Sequence, residues 1–248
     1  MPLGDSITDG YNIPGGYRIK LWQDLVARNP SINFVGSTSN GPSSLGDRQH
    51  EGHSGWRIDQ IDANIVAWLN ASQPDIVLLL IGTNDVLQQY QLSSAPARLS
   101  ELIDTITSTS PATHVIVASI PPLENGDRNG RAQTYNSAIP AIVADKIAAG
   151  QSVSYVNAYS ALTPADLADG VHPNQAGYDK LAAVWYHALL GHTPAASSTS
   201  TPTSTHAPTP TVPHTPMPTV TLVATPTVGR TPAWTVMLPN IIAAAPAR

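Results

Sequence analysis

Asp75-Ile-Val-Leu-Leu-Leu-Ile-Gly-Thr-Asn-Asp85 opens with an unbroken apolar run, closed in front by Pro74 and behind by Gly82. A strand with one wet face would alternate apolar and polar residues. A run with no alternation reads instead as a central strand of a parallel sheet, buried on both faces. Working outward, His114-Val-Ile-Val-Ala-Ser-Ile120 before Pro121-Pro122 repeats the pattern, Val153 to Val156 is a further strand, and Ile32-Asn-Phe-Val-Gly36 reads as a short parallel strand before a polar loop over 37–54. Between the strands lie helical periodicities. Residues 16–28 put Ile19, Trp22, Leu25 and Val26 on one face, residues 57–70 align Ile58, Ile61, Ile65 and Leu69, and helices follow over 95–109, 132–149 with an interruption at Pro140, and 175–190. Strand and helix alternate throughout. The expected fold is therefore α/β, a three-layer α/β/α sandwich around a central parallel sheet.

The 248 residues allow one α/β domain with an ample core. Without cysteine there is no disulfide, thiolate metal site or cysteine nucleophile. The formal net charge is −5, and from residue 193 onward the only charges are Arg230 and Arg248; subtracting that +2 leaves −7 on residues 1–192. An acidic domain without a basic cluster is not expected to bind nucleic acid and suits a neutral substrate better than a polyanion. No apolar run is long enough for a transmembrane helix. Only Met1, Pro2 and Leu3 precede Gly4, so the first strand is expected to be truncated and a signal peptide to lie upstream. After His192 the composition turns to Thr, Pro, Ser and Ala. That break predicts a folded domain over 1–192, a disordered linker over 193–232 and a short apolar tail over 233–248, available for attachment to a cell surface.

Three blocks carry chemistry. Ser6 sits in Gly4-Asp5-Ser6-Ile7-Thr8-Asp9-Gly10, Asn84 in Gly82-Thr-Asn-Asp85, and Asp169-Gly-Val-His172 places a carboxylate three residues ahead of a histidine. A serine hydroxyl needs a base within hydrogen-bond reach, and the base needs a group that sets its tautomer. Ser6, His172 and Asp169 supply nucleophile, base and orienter, and Asn84 is an amide able to donate to an oxyanion. Each block alone is a common turn or cap; His172 alone reads equally as a helix-entry residue satisfied by backbone. Asp5, Asp9 and Asp85 read as braces of their turns. A metal site built from Asp5, Asp9, Asp85 and His172 has no ligand spacing to support it, so no metal and no cofactor are expected. His50, His53 and Trp56 flank the expected pocket, and His114, His187 and His192 read as structural or exposed.

Over residues 1–190 the chain resembles the SGNH hydrolases, or GDSL esterases. Gly4 to Gly10 is similar to their nucleophile block, Gly52-His-Ser-Gly55-Trp56 to their glycine block, Gly82 to Asp85 to their asparagine block, and Asp169 to His172 to their acid and histidine block. The resemblance implies a flavodoxin-like sandwich and an oxyanion hole made by the Ser6 N–H, the Gly55 N–H and the Asn84 side chain. Gly52 is the local competitor of Gly55; the resemblance favours a glycine directly after a small polar residue, here Ser54, and a missing Cβ lets substrate approach the backbone. It also implies that Asp169 is dispensable where a backbone carbonyl can orient the imidazole.

Met-Pro-Leu-Gly-Asp-Ser-Ile-Thr8 and His50-Glu-Gly-His-Ser-Gly-Trp56 are most similar to the acetylxylan esterases of carbohydrate esterase family 3. The expectation is a secreted or cell-surface, monomeric serine esterase acting on an acylated polysaccharide or small ester. Its rivals are a lipase-like or lysophospholipase-like relative, which the single Phe and polar loops disfavour, and a non-catalytic carbohydrate-binding module on the same fold.

Overall fold

The computed structural model describes residues 1–124 and 126–191; the expected linker, the apolar tail and His192 lie outside the described residues. In chain order the elements are β1 (Pro2–Gly4), α1 (Ser6–Asp9), α2 (Tyr17–Arg28), β2 (Thr38–Ser39), β3 (Gln49–Gly52), α3 (Ile58–Ser72), β4 (Ile76–Leu80), α4 (Thr83–Leu87), α5 (Ala95–Thr109), β5 (His114–Ala118), α6 (Gly126–Ala148), β6 (Val153–Val156) and α7 (Gln175–Gly191). Strand order in the sheet is β2-β3-β1-β4-β5-β6.

The apolar run behaves as its pattern requires. Val77 and Leu79 of β4 enter one buried cluster, together with Val115 and Val117 of β5 and the inner faces of α3, α5 and α6. Leu78 and Leu80, with Ile116 and Ala118, enter a second cluster on the opposite face against α2 and α7. Removing each such side chain from water contributes about 1.5–3 kcal/mol, which is why an unalternating strand is stable only between two helical layers.

Two expectations are corrected. Residues 32–36 form no strand. Their neighbourhood satisfies backbone through side chains: the Phe34 N–H donates to Asp47 Oδ2 at 2.7 Å and the Ser37 N–H donates to the Glu51 carboxylate. The place beside β1 goes to β3, inside the stretch that reads as loop, in the register Leu3↔Glu51 and Gly4↔Gly52. Its outer neighbour β2 is antiparallel, Thr38↔His50, so the sheet has one antiparallel edge beside five parallel strands. The second correction concerns Pro140. It lies inside α6, which runs on to Ala148 without a break. Pro140 faces solvent while Ile139 and Val143 pack into the core, so burial on one face outweighs the hydrogen bond that proline removes on the other.

The order β3-β1-β4 has a functional consequence. The chain leaves β1 toward β3 and then crosses to β4 on the other side, so the connections diverge at β1. In open α/β sheets the ligand crevice lies at the carboxyl ends of the strands at such a reversal.

Candidate active site

Each strand at the reversal hands its carboxyl end to one block. β1 ends at Gly4 and passes through Asp5 into α1. No side chain fits at Gly4, since a Cβ there would lie 2.1 Å from the Leu80 carbonyl oxygen. Asp5 caps α1 by accepting from the Ile7 N–H at 3.0 Å. The far end of this one-turn helix is held by Arg18, a fully buried residue whose Nε donates to the Thr8 carbonyl at 3.1 Å and whose guanidinium also reaches the Asp9 carbonyl. Burial draws Arg18 down to about 10, still charged at neutral pH, and a cation suits the carbonyl end of a helix.

Ser6 is thereby fixed at the carboxyl edge of the sheet, and α7 brings the acid and base to it. Asn174 caps α7 through the Gly177 N–H at 3.0 Å, which sets where the preceding loop turns. Within that loop Asp169 Oδ1 accepts from the backbone N–H groups of Val171 and His172 at 3.0 and 2.8 Å, while Asp169 Oδ2 lies 2.7 Å from His172 Nδ1. His172 Nε2 is 2.9 Å from Ser6 Oγ. Partial burial by itself would raise the Asp169 carboxyl, but the His172 N–H, the imidazole and the Val171 N–H outweigh it and hold the group below the ordinary carboxylate range. An ionised Asp169 at Nδ1 requires that nitrogen to carry the proton, leaving Nε2 as the acceptor that faces Ser6.

The residues expected to donate to an oxyanion follow the other two strands. Beyond β3, Gly55 adopts φ +82°, a conformation that favours glycine, with nothing within 4 Å of where a Cβ would project. Its N–H has no acceptor among the described residues. The Gly52 N–H, in contrast, donates to His50 Nδ1 at 2.9 Å. Beyond β4, Asn84 is almost fully buried and its Nδ2 donates to the Trp56 carbonyl at 2.9 Å. A primary amide has two N–H bonds, so one tethers the glycine loop and the second remains to donate. Gln88 adds a second tether, Nε2 to the Gly55 carbonyl at 3.2 Å.

The neighbouring acids brace. Asp85 accepts from the Ile58 N–H at 3.1 Å and pairs with Arg98 at 2.7 Å, and Asp9 accepts from the Ser54 hydroxyl at 2.6 Å. Asp5 is fully buried, and desolvation pushes it up to about 6 against the pull of the Ile7 N–H, the Thr83 hydroxyl and the charge of His172. Of the histidines expected to flank a pocket, His50 is buried and pushed down to about 3, chiefly by desolvation, so it is neutral. His53 stacks between Trp56 and Trp68, with ring centroids at 4.4 and 4.5 Å, and its Nε2 is 2.9 Å from the buried Glu51. Both support the glycine loop from below. His114 lies between the Ser152 and Ser154 hydroxyls.

Sequence reasoning missed Arg18, Glu51, Gln88 and Arg98. A signal existed for Arg18, which shares a helical face with the buried Leu21 and Leu25, where a charge demands partners. The others carry no comparable signal: Glu51 sits in a segment with no apolar pattern, and the partners that place Gln88 and Arg98, the Gly55 carbonyl and Asp85, lie 33 and 13 residues away.

Residues 3–180 match the model of the GDSL-like Lipase/Acylhydrolase family. A family 3 carbohydrate esterase of Clostridium thermocellum superposes with a TM-score of 0.69 at 41% identity, covering 75% of this chain and 92% of that one. A carbohydrate esterase family 3 protein from Talaromyces cellulolyticus gives the same TM-score at 30% identity, over 77% and 95% of the two chains. A multidomain esterase of Ruminococcus flavefaciens is 34% identical over an alignment of 224 positions that covers 79% of this chain and 29% of that protein, so the chain spans under a third of that relative's length. With four blocks gathered at the carboxyl edge of this sheet and a family match over most of the described residues, the chain belongs to the GDSL-like lipase/acylhydrolase family and carries an esterase domain similar to those of carbohydrate esterase family 3.

Proposed function

We propose that the protein is a serine esterase that removes short acyl groups, acetyl in particular, from a carbohydrate such as acetylated xylan, through an acyl-enzyme. One observation carries the reading: Ser6 Oγ stands 2.9 Å from His172 Nε2, whose Nδ1 stands 2.7 Å from Asp169. His172 takes the Ser6 proton as Oγ attacks the ester carbonyl. The oxyanion is met by the Ser6 and Gly55 N–H groups and the free N–H of Asn84. Collapse expels the sugar oxygen, which receives the proton from His172. Water then attacks the acyl-Ser6 ester with His172 again the base, releasing the acid and restoring the serine. The carbohydrate substrate is supported by the relatives described as family 3 carbohydrate esterases.

Secretion or surface display fits a polymeric substrate, and no helix among the described residues is long and apolar enough to cross a membrane. The test is acetate release from acetylated xylan by wild type and by Ser6→Ala. Wild type should turn over and accumulate a serine-linked acetyl group on rapid quenching, and the folded Ser6→Ala variant should lose nearly all activity. Wild-type rates in Ser6→Ala would sink the assignment.

A further inference from the structure

Tyr11 is exposed by 65%, one of three large hydrophobic residues so placed among the described residues, with Val66 and Ile147. Unlike those two it stands in the candidate site. Its ring lies against the imidazole of His172, with centroids 5.1 Å apart and planes at 36°.

The chain around Tyr11 is tightly held although the ring is not buried. Gly10 ends α1 in the left-handed region at φ +79°, and the Tyr11 N–H donates to the Ser6 carbonyl at 3.0 Å. Asn12 Nδ2 donates to the Pro173 carbonyl at 2.9 Å, and Asn12 Oδ1 accepts from the Tyr178 hydroxyl at 3.2 Å. A rigid turn therefore ties the nucleophile helix to the histidine loop and presents an aromatic face to solvent. Core packing does not call for that side chain.

The chemistry assigns the two sides of the site. In ester hydrolysis the acyl oxygen must lie among the oxyanion donors, while the departing alcohol must lie next to the acid that protonates it. That acid is His172. If the substrate is an acylated sugar, the sugar is the departing alcohol, and it must sit on the His172 side, where Tyr11 stands. Opposite, around Gly55, the surroundings are polar: Gln88 holds the Gly55 carbonyl and accepts from Arg57 at 2.9 Å, and Arg57 lies over the Tyr90 ring at 4.0 Å.

Resting on the esterase reading above, we propose that Tyr11 is the platform for the leaving group, stacking on the C–H face of the pyranose whose ester is cleaved. The face of a pyranose is apolar and its rim polar, matching a tyrosine ring edged by hydroxyl and water. The role is selection of the alcohol portion of the substrate. It is separate from the acyl-side selection made around Gly55 and Asn84.

Tyr11→Leu, which keeps an apolar cover over His172 but loses the flat ring, is compared with wild type and Tyr11→Phe on an acetylated xylooligosaccharide and on ethyl acetate. Ethyl acetate has the same acyl group and a leaving group too small to stack; p-nitrophenyl esters are avoided because their own ring would stack. Aromatic contacts of this kind predict a rise in KM for the oligosaccharide of roughly three- to tenfold in Tyr11→Leu. Ethyl acetate should change less than about twofold, and Tyr11→Phe should resemble wild type on both. Equal loss of kcat on both esters would mean that Tyr11 only positions His172, and no change on either would mean that it does nothing; both results overturn the inference while leaving the esterase reading intact. Wild type that cleaves ethyl acetate but not the oligosaccharide would overturn the carbohydrate reading and this inference together.

Discussion

Replacing Asp5 with Asn should stabilise the protein increasingly as pH rises, because the fold holds a carboxyl where a charge is costly. Asp5 is fully buried and raised from the ordinary 3.8 to about 6 by desolvation. Between those two values the native state keeps a proton that the unfolded chain has released. The unfolded state then binds fewer protons, so stability falls as pH rises through the window. The shift of about 2 units corresponds to about 3 kcal/mol in full, of which about 2–3 kcal/mol develops between pH 4 and pH 8. Asn keeps an oxygen to accept from the Ile7 N–H and has no charge to desolvate.

Urea unfolding followed by tryptophan fluorescence at each pH, with equal slopes for both proteins, gives the difference directly. The two proteins should be closest near pH 4. Asp5→Asn should then gain on wild type up to about pH 7 and hold a constant margin above it, worth roughly 5–10 °C in melting temperature for a domain of this size. A difference that does not change with pH between 4 and 8 would refute the account, and Asp5 would then be ionised in the fold at little cost.

Asn84→Ala should lower kcat by roughly 10²- to 10³-fold with a smaller change in KM, since in the proposed mechanism the free N–H meets charge that develops only in the transition state; an effect confined to KM would assign Asn84 to ground-state binding. Asp169→Asn should reduce kcat/KM less than His172→Ala, because its oxygen can still accept from the Val171 and His172 N–H groups and hold the loop. Asp169 is held below the ordinary carboxylate range, so its support for His172 is present above that range and is lost only as pH falls through it. A wild-type profile declining from Asp169 titration near neutrality would contradict that. Rates on p-nitrophenyl esters should fall steeply from acetyl to octanoyl, and rates that hold or rise would favour a lipase-like enzyme.

What could be read from sequence was whatever a short stretch settles by itself. Asp169 and His172 are three residues apart, and the same turn that makes Oδ1 accept two backbone N–H groups also delivers Oδ2 to Nδ1; spacing and geometry are one fact there. The run from Ile76 to Leu80 was equally self-contained, because a strand apolar on both faces has only one stable environment. β3 was illegible for the opposite reason. Gln49-His-Glu-Gly52 has no apolar residue, and it becomes a strand beside the site only because polar partners satisfy it: Ser37 and His53 at the Glu51 carboxylate, Thr38 at His50. Ile32 to Gly36 carries the hydropathy of a strand but loses its place to the polar segment.

The glycine loop divides in the same way. Gly55 can be singled out from sequence as a candidate, yet the supports that hold its loop, the Trp56 carbonyl on Asn84 and the Gly55 carbonyl on Gln88, join residues about thirty positions apart. Buried polar groups must be paired, and neither pairing leaves a local trace. A chain of this kind therefore announces its candidate nucleophile, base and donors while concealing the residues that hold them. Those concealed residues are where substitutions should alter turnover without touching the substrate.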